Sequence, residues 1–288
     1  MRLNHQLLPM VDYHKAKKLL WDPLDIDCAR DRRDWTTLSE VEQDLILRVV
    51  ALFHKGEEAV TRDLAPLLIA VRREGVHLED EFFLATQIFE EAKHVEFFDR
   101  WLDQVIGDKV DLAAFLGPHY APIFQQALPD ALNRLLTDNS AAAQVEASVI
   151  YHMIVEGVLA ETGYHGFYQA LKERHLLPGL VQGIELIQRD EARHIAFGVY
   201  FLQRHVRAQP DLWATIEYRM NEILPSALAI VGDTFLPYGD TIPFNLDIAE
   251  LVTYASEQFT KRISAIDRAR DYQPEPPPVV TQRYGWAG

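Results

Sequence analysis

Cysteine is almost missing: Cys28 is the only one in 288 residues, so no intramolecular disulfide can form and no zinc-finger or iron–sulfur site can be assembled from thiolates. No stretch approaches 18 consecutive apolar residues, which excludes a membrane-spanning helix on hydropathy. The opening segment MRLNHQLLPMVDYHKAKKLL has no basic stretch leading into an apolar run of seven or more, so no secretory signal is expected and the protein reads as cytoplasmic. Basic residues are outnumbered, with 28 Lys and Arg against 43 Asp and Glu and a net charge of −15. A chain so acidic repels phosphate backbones at long range, which argues against nucleic acid as a partner. Part of that acidity can be internal, because carboxylates that ligate metal ions do not act as surface charge.

Strand signals are scarce as well. Apolar residues, 48% of the chain, recur at three- and four-residue spacing through most of positions 40 to 270, so the expected fold is all-α, a four-helix bundle core with additional helices. One domain over residues 1–270 is expected, with core helices at about 40–73, 80–106, 141–172 and 180–206. Pro66 should kink the first of these or divide it in two. The stretch from Val110 to Ser140, with Pro118, Pro122 and Pro129, reads as a crossover carrying one or two short helices. Further helices are expected at about 211–231 and 246–268. The proline-rich end, 271–288, reads as an extended or disordered tail.

The two helix pairs repeat one chemical skeleton, a lone glutamate followed by Glu-x-x-His. Glu57 precedes Glu91-Ala92-Lys93-His94, and Glu156 precedes Glu191-Ala192-Arg193-His194. Glu156 follows Glu57 by 99 residues, while Glu191 follows Glu91, and His194 follows His94, by 100. Residues at i and i+3 share a helix face, so each Glu-x-x-His presents an oxygen and a nitrogen to one point. The 34 residues from Glu57 to Glu91 let a helix climb about 25 Å, turn and return to the same level. This is the ligand pattern of di-iron and di-manganese carboxylate bundles. Carboxylate oxygens with one imidazole per metal suit Mn and Fe better than tetrahedral Zn, and four carboxylates neutralise two divalent ions in a buried place.

A single Glu-x-x-His is weak, since chance gives roughly one in a chain of this size. A third copy, Glu74-Gly75-Val76-His77, falls in a glycine-containing turn without a companion glutamate and is assigned a structural role. Glu58 adjoins Glu57; register and the following Ala59-Val60 favour Glu57. Metal-bound imidazoles usually donate their other N–H to a carboxylate, so Asp190 is expected behind His94 and Glu90 behind His194. Glu90 equally fits an exposed face. Gly157 and Ala160 flank Glu156, where small residues serve close helix packing and leave room for a ligand.

With these motifs in place the sequence resembles the ribonucleotide reductase small-subunit superfamily, which is ferritin-like. LWDPLDIDCARDRRDWTTLSEVE is similar to the N-terminal signature of those subunits, with Trp21 at their electron-transfer tryptophan. Two departures stand out. Phe98 occupies the position where a radical-storing tyrosine is usual, and phenylalanine cannot lose a phenolic proton and electron. Glu57 stands where many of those subunits have aspartate. GEEAVT at 56–61, EAKHVE at 91–96, YHMIVEGVLAETGY at 151–164 and DEARHIAFG at 190–198 resemble the ligand-binding oxidases of that superfamily.

This resemblance implies a heterodinuclear centre with Mn nearer Glu57 and Fe in the other site, di-iron remaining an alternative. It implies dioxygen activation for two-electron C–H oxidation, a long-chain fatty acid at the metals, and a homodimer. It also implies an ether cross-link between Tyr151 and the β-carbon of Val60. Val60 is i+3 from Glu57 and shares its face. Tyr151 is i−5 from Glu156, about 140° around an ideal helix, so it needs a long reach or a local π-bulge to approach the metals. The rival readings are a ribonucleotide reductase small subunit without a tyrosyl radical, and a non-catalytic metal-storage or structural bundle.

Overall fold

The computed structural model describes residues 2–107 and 110–270; the expected tail at 271–288 lies outside them. Among the described residues every regular element is helical. Two helices that the sequence pattern did not signal, α1 (Leu8–Lys18) and α2 (Ala29–Trp35), lead into the bundle. The first core helix is divided at its proline: α3 (Glu40–Asp63) ends and α4 (Ala65–Glu74) begins with Pro66 in its first turn, where a missing N–H costs nothing. Helix α3 opens on a capping box, in which the Ser39 hydroxyl accepts from the Glu42 N–H and the Glu42 carboxylate accepts from the Ser39 N–H at 2.8 Å. Helix α4 stops at Gly75, whose φ of +68° a side chain would resist.

Helix α5 (Leu78–Val105) returns alongside α3, and the crossover carries the short α6 (Leu128–Arg134). The third core helix is one continuous rod of mixed pitch. It comprises α7 (Ala141–Ser148), a π-helical stretch (Val149–Ala160), α8 (Glu161–Phe167) and a second π stretch (Tyr168–Lys172). The fourth core helix, α9 (Pro178–Ala208), packs on the longer π stretch, as do α10 (Leu212–Phe235) and α11 (Ile248–Asp267).

Apolar side chains collect in two major layers along the bundle. One holds Val60, Phe83, Phe124, Tyr151 and Phe197; the other holds Phe53, Phe98, Trp101, Tyr164 and Leu180. Along α3, α5 and α9 the acidic and imidazole residues fall between these layers: Glu57 on α3, Glu91 and His94 on α5, Glu191 and His194 on α9; Glu156 on the π stretch joins them from beside Val155 and Val158 of the first layer. The core thus sandwiches a polar belt between two greasy plates. Packing is close enough that a Cβ on Gly183 would sit 1.9 Å from the Phe97 ring, so glycine is what lets α9 approach α5.

Away from the belt, Arg204 of α9 grips Glu74 with two bonds of 2.7 Å and ties down the end of α4. This is the use the structure makes of the third Glu-x-x-His. Asp80 lies fully buried beside that pair, 3.8 Å from Arg204, and burial pushes its carboxyl up to about 7 against the pull of Arg204 and with the push of Glu74. A carboxyl raised on folding stabilises fully below its ordinary range, and that contribution is lost as pH rises through about 7. Asp80→Asn is therefore expected to flatten the fall in melting temperature of metal-loaded protein between pH 5 and pH 8. The difference between the two proteins should be a few kcal/mol, at about 1.4 kcal/mol for each tenfold change in proton affinity, read by thermal denaturation at both pH values.

Candidate metal centre

Ligand atoms of Glu57, Glu91, His94 and Glu191 lie within 4.8 Å of one another, and so do those of Glu91, Glu156, Glu191 and His194. Glu91 and Glu191 belong to both sets. The structure therefore builds two adjacent sites that share two carboxylates, each with one further glutamate and one histidine of its own. All these side chains are buried, Glu57 being the most exposed at 6%. The sequence brought the same residues forward from helix spacing; which carboxylates are shared was not readable there. Glu58, its rival, points away and pairs with Lys55 at 2.8 Å.

Both imidazoles turn Nδ1 inward. His94 Nδ1 lies 3.4 Å from Glu57 and 3.4 Å from Glu191; His194 Nδ1 lies 3.0 Å from Glu91 and 3.5 Å from Glu156. Neither Nδ1 has a hydrogen-bond partner, and neither do Oε2 of Glu91, Glu156 and Glu191, although all are buried. Buried polar atoms normally find partners, and here those without one converge from three helices, α5, the π stretch and α9, with Glu57 facing them from α3. Two cations would satisfy them. The donor set, oxygens with one nitrogen per site, fits Mn or Fe.

Electrostatics agree. Burial pushes the Glu57 and Glu156 carboxyls well above their usual range. Burial would do the same to Glu91, but the neighbouring His194 and His94 imidazoles hold it well below. His94 and His194 resist burial and stay well above their ordinary value because Glu57 and Glu191, respectively, lie beside them. A cage that retains protons this way holds divalent cations by the same charges and releases protons on loading.

Behind the imidazoles stand the two expected acids. His94 Nε2 is 3.4 Å from Asp190, and His194 Nε2 is 2.9 Å from Glu90, which is buried rather than on a surface. Arg193 clamps both acids with one nitrogen, donating to Glu90 at 2.5 Å and to Asp190 at 2.6 Å. Asp190 also accepts from Lys93 at 2.8 Å and from the Trp21 indole at 2.7 Å. Burial alone would raise Asp190; its bond to His94 and the Lys93 charge hold it far below the ordinary carboxylate range. Sequence reasoning passed over Lys93 and Arg193. The available signal was their matching place, each immediately before a motif histidine. Asp190→Asn is expected to weaken cation binding at the Glu57/His94 site by about 10–100-fold, while Glu90→Gln does the same at the Glu156/His194 site. Chelator competition measures both.

Tyr151 reaches the belt through the π turns. With i→i+5 bonding, residues five apart lie nearly one above the other, so Tyr151 and Glu156 share a face that a regular α-helix would deny them. The phenol donates to Glu91 at 2.6 Å and accepts from Gln87 Nε2 at 2.8 Å; the same amide lies 3.3 Å from Glu156. Burial, with Glu156 adding to it, raises the phenol well above its usual value, so the O–H stays intact. Val60, one turn beyond Glu57, belongs to the same buried layer as Tyr151. Gln87 escaped the sequence reading; it is the polar residue one turn before Glu91 in an apolar run. Phe98 is fully buried between Phe97 and Phe53, with no phenol to oxidise.

The carboxylates line a cavity. Glu57, Glu91, Glu156 and Glu191 are its only charged lining, and apart from two threonines the other walls are apolar side chains and glycine.

A helical bundle with paired Glu-x-x-His motifs around such a belt defines a class, and the chain belongs to it: the family described as ribonucleotide reductase, small chain, matches residues 10–238. Within that class it is similar to solved structures of an R2-like ligand-binding oxidase. One, with an aerobically reconstituted Mn/Fe cofactor after a long soak, is 39% identical, covers 92% of this chain and 94% of that one, and superposes with a TM-score of 0.87. A tyrosine-to-phenylalanine variant, aerobically reconstituted with Mn/Fe, is 39% identical over 92% and 95% with a TM-score of 0.88. A valine-to-isoleucine variant, anaerobically reconstituted with Mn/Fe, is 40% identical over 92% and 95% with a TM-score of 0.86. No helix among the described residues is long and apolar enough to cross a membrane.

Proposed function

We propose that this protein is an oxidase in which Glu57, Glu91, His94, Glu156, Glu191 and His194 hold a Mn/Fe pair that activates dioxygen for two-electron C–H oxidation, with a long-chain fatty acid bound at the metals. One observation carries the reading: two ligand sets sharing Glu91 and Glu191 face an apolar cavity whose charge lies at that end alone. Such a cavity accepts a molecule with one anionic head and a long apolar tail, the head joining the cations and the tail lying along the walls. Glu57 and His94 would hold Mn, and Glu156 and His194 would hold Fe, with Glu91 and Glu191 shared, and the pair would supply the redox chemistry.

The chain's own residues supply position and dryness. Apolar walls keep bulk water from the belt, and low polarity there strengthens each fixed charge. Glu91 receives the Tyr151 hydrogen bond, so the phenol proton already has an acceptor 2.6 Å away. In the cross-link we propose, the Tyr151 O–H and the Val60 Cβ–H bonds break and a phenolic O–C bond forms. Two protons and two electrons leave, with dioxygen as the oxidant. Gln87 holds the phenol oxygen while this happens. Phe98 offers no side route through a tyrosyl radical at its position. Assembly as a cytoplasmic homodimer completes the proposal and is measured by light scattering of the purified protein.

The test begins with anaerobic protein loaded with Mn(II) and Fe(II). Exposure to dioxygen is expected to produce a new visible absorption and a loss of two hydrogens from the peptide pair bearing Tyr151 and Val60. Neither change appearing rejects the oxidase reading.

A further inference from the structure

The π stretch that carries Tyr151 and Glu156 gives way to α8 one turn after Glu156. Where π bonding returns to α bonding, the backbone count changes by one residue and a carbonyl is passed over. Here that carbonyl belongs to Gly157. The Glu161 N–H, which α bonding would send to it, bonds instead to the carbonyls of Glu156 and Val158 on either side. Gly157 O is met from outside the rod: Arg262 of α11 donates its Nε–H to it at 3.2 Å and an Nη2–H to Gln258 at 3.3 Å. Arg262 is half-buried, and burial disfavours its charge, an effect that Glu161, Tyr254 and Glu156 offset only in part.

Glycine at position 157 makes this contact possible. A Cβ there would lie 3.1 Å from Arg262 Nε, 3.2 Å from its Cγ and 2.9 Å from the His152 carbonyl oxygen. Gly157 takes no part in the cavity wall, so its missing side chain makes room for Arg262 and not for a ligand.

We infer that Arg262 is a positioning residue for the Glu156/His194 site: by binding the carbonyl next to Glu156 it holds the end of the π stretch, and with it the direction of the Glu156 carboxylate. The inference rests on the metal-holding reading proposed above and adds a residue to it. Without this bond the Gly157 carbonyl recovers a helical partner by drawing the turn back to α pitch. Moving the extra residue past Glu156 swings that side chain about 100° around the helix, away from His194. Glu57 and His94 stand on α3 and α5, with no backbone in this rod, so their site is spared.

The experiment measures Mn(II) binding by calorimetry in full-length protein on two backgrounds. In Glu57→Ala the cation sits with Glu156 and His194; in Glu156→Ala it sits with Glu57 and His94. Arg262→Met, of similar length but without a donor, is expected to weaken binding about 10–100-fold on the first background. On the second the change should stay within about twofold, as for sites that share no contact. In otherwise wild-type protein the same substitution should loosen one of two Mn(II) ions and not both. Arg262→Gln places an uncharged N–H at the depth of Nε and is expected to restore most of the affinity. Gly157→Ala, which crowds Nε away from the carbonyl, should reproduce the selectivity of Arg262→Met and replaces it should that variant fail to fold. If wild type binds no Mn(II), the metal reading fails and the inference with it. If wild type binds Mn(II) but Arg262→Met changes neither site, or weakens both equally, the inference alone is overturned. Arg262→Gln behaving like Arg262→Met also overturns it, because the charge and not the carbonyl bond would then be responsible.

Discussion

Glu91→Ala is expected to reduce the metal content from two ions to one or none per chain and to abolish the dioxygen-dependent absorption change. The reason is topological: Glu91 belongs to both ligand sets, so its loss opens both sites at once. Damage extends beyond coordination. His194 Nδ1 loses a carboxylate at 3.0 Å, and the Tyr151 hydroxyl loses the acceptor at 2.6 Å that fixes its proton. Removing one partner from a buried charged pair typically costs about 3–5 kcal/mol, so the metal-free variant should also melt well below metal-free wild type. Glu57→Ala supplies the graded comparison, since Glu57 serves one set only and its loss should spare most of the cation bound by Glu156 and His194. Glu58→Ala, on a partly exposed side chain already paired with Lys55 and Arg62, should leave two ions bound. Elemental analysis after dialysis reads all three. Glu91→Ala retaining two tightly held ions would overturn the shared-carboxylate assignment.

Much of this site is legible in the chain because helices convert spacing into geometry. Glu91 and His94 share a face by their i,i+3 relation, and the near-identical offsets from Glu57 and Glu156 place both half-sites at one level. Asp190 is legible for a chemical reason, the need of a bound imidazole for an anion behind it. Other features depend on what spacing does not encode. Arg193 joins Glu90 and Asp190 across two helices, a relation absent from either motif alone. The π pitch of Val149–Ala160 leaves no apolar periodicity of its own to read. Its one trace is the awkward angle of about 140° between Tyr151 and Glu156 on an ideal α-helix. Helix α1, rich in lysine and without a long apolar stripe, escapes a search for periodicity. The cavity is assembled from residues as distant as Leu45 and Leu251, so only the fold reveals it.

Tyr151→Phe is expected to eliminate the two-hydrogen mass loss completely while leaving metal content near two ions per chain. Phenylalanine keeps the ring in its buried place but has no oxygen to bond to Val60, so the cross-link has no atom with which to form. Little else should change, because no direct ligand is removed. The released groups are Glu91 Oε1, which retains His194 Nδ1 at 3.0 Å, and Gln87 Nε2, which retains Glu156 at 3.3 Å. The lost phenolic hydrogen bond to an ionised acceptor is worth about 1.5–3 kcal/mol, a destabilisation that metal loading partly offsets. The separation of outcomes makes this variant informative. Dioxygen uptake persisting without the mass change assigns Tyr151 to the cross-link and not to assembly of the centre. Peptide mapping of wild type, Tyr151→Phe and Val60→Ala in parallel reads the bond directly. A two-hydrogen loss surviving in Tyr151→Phe would move the oxidation to another pair of atoms and remove Tyr151 from it.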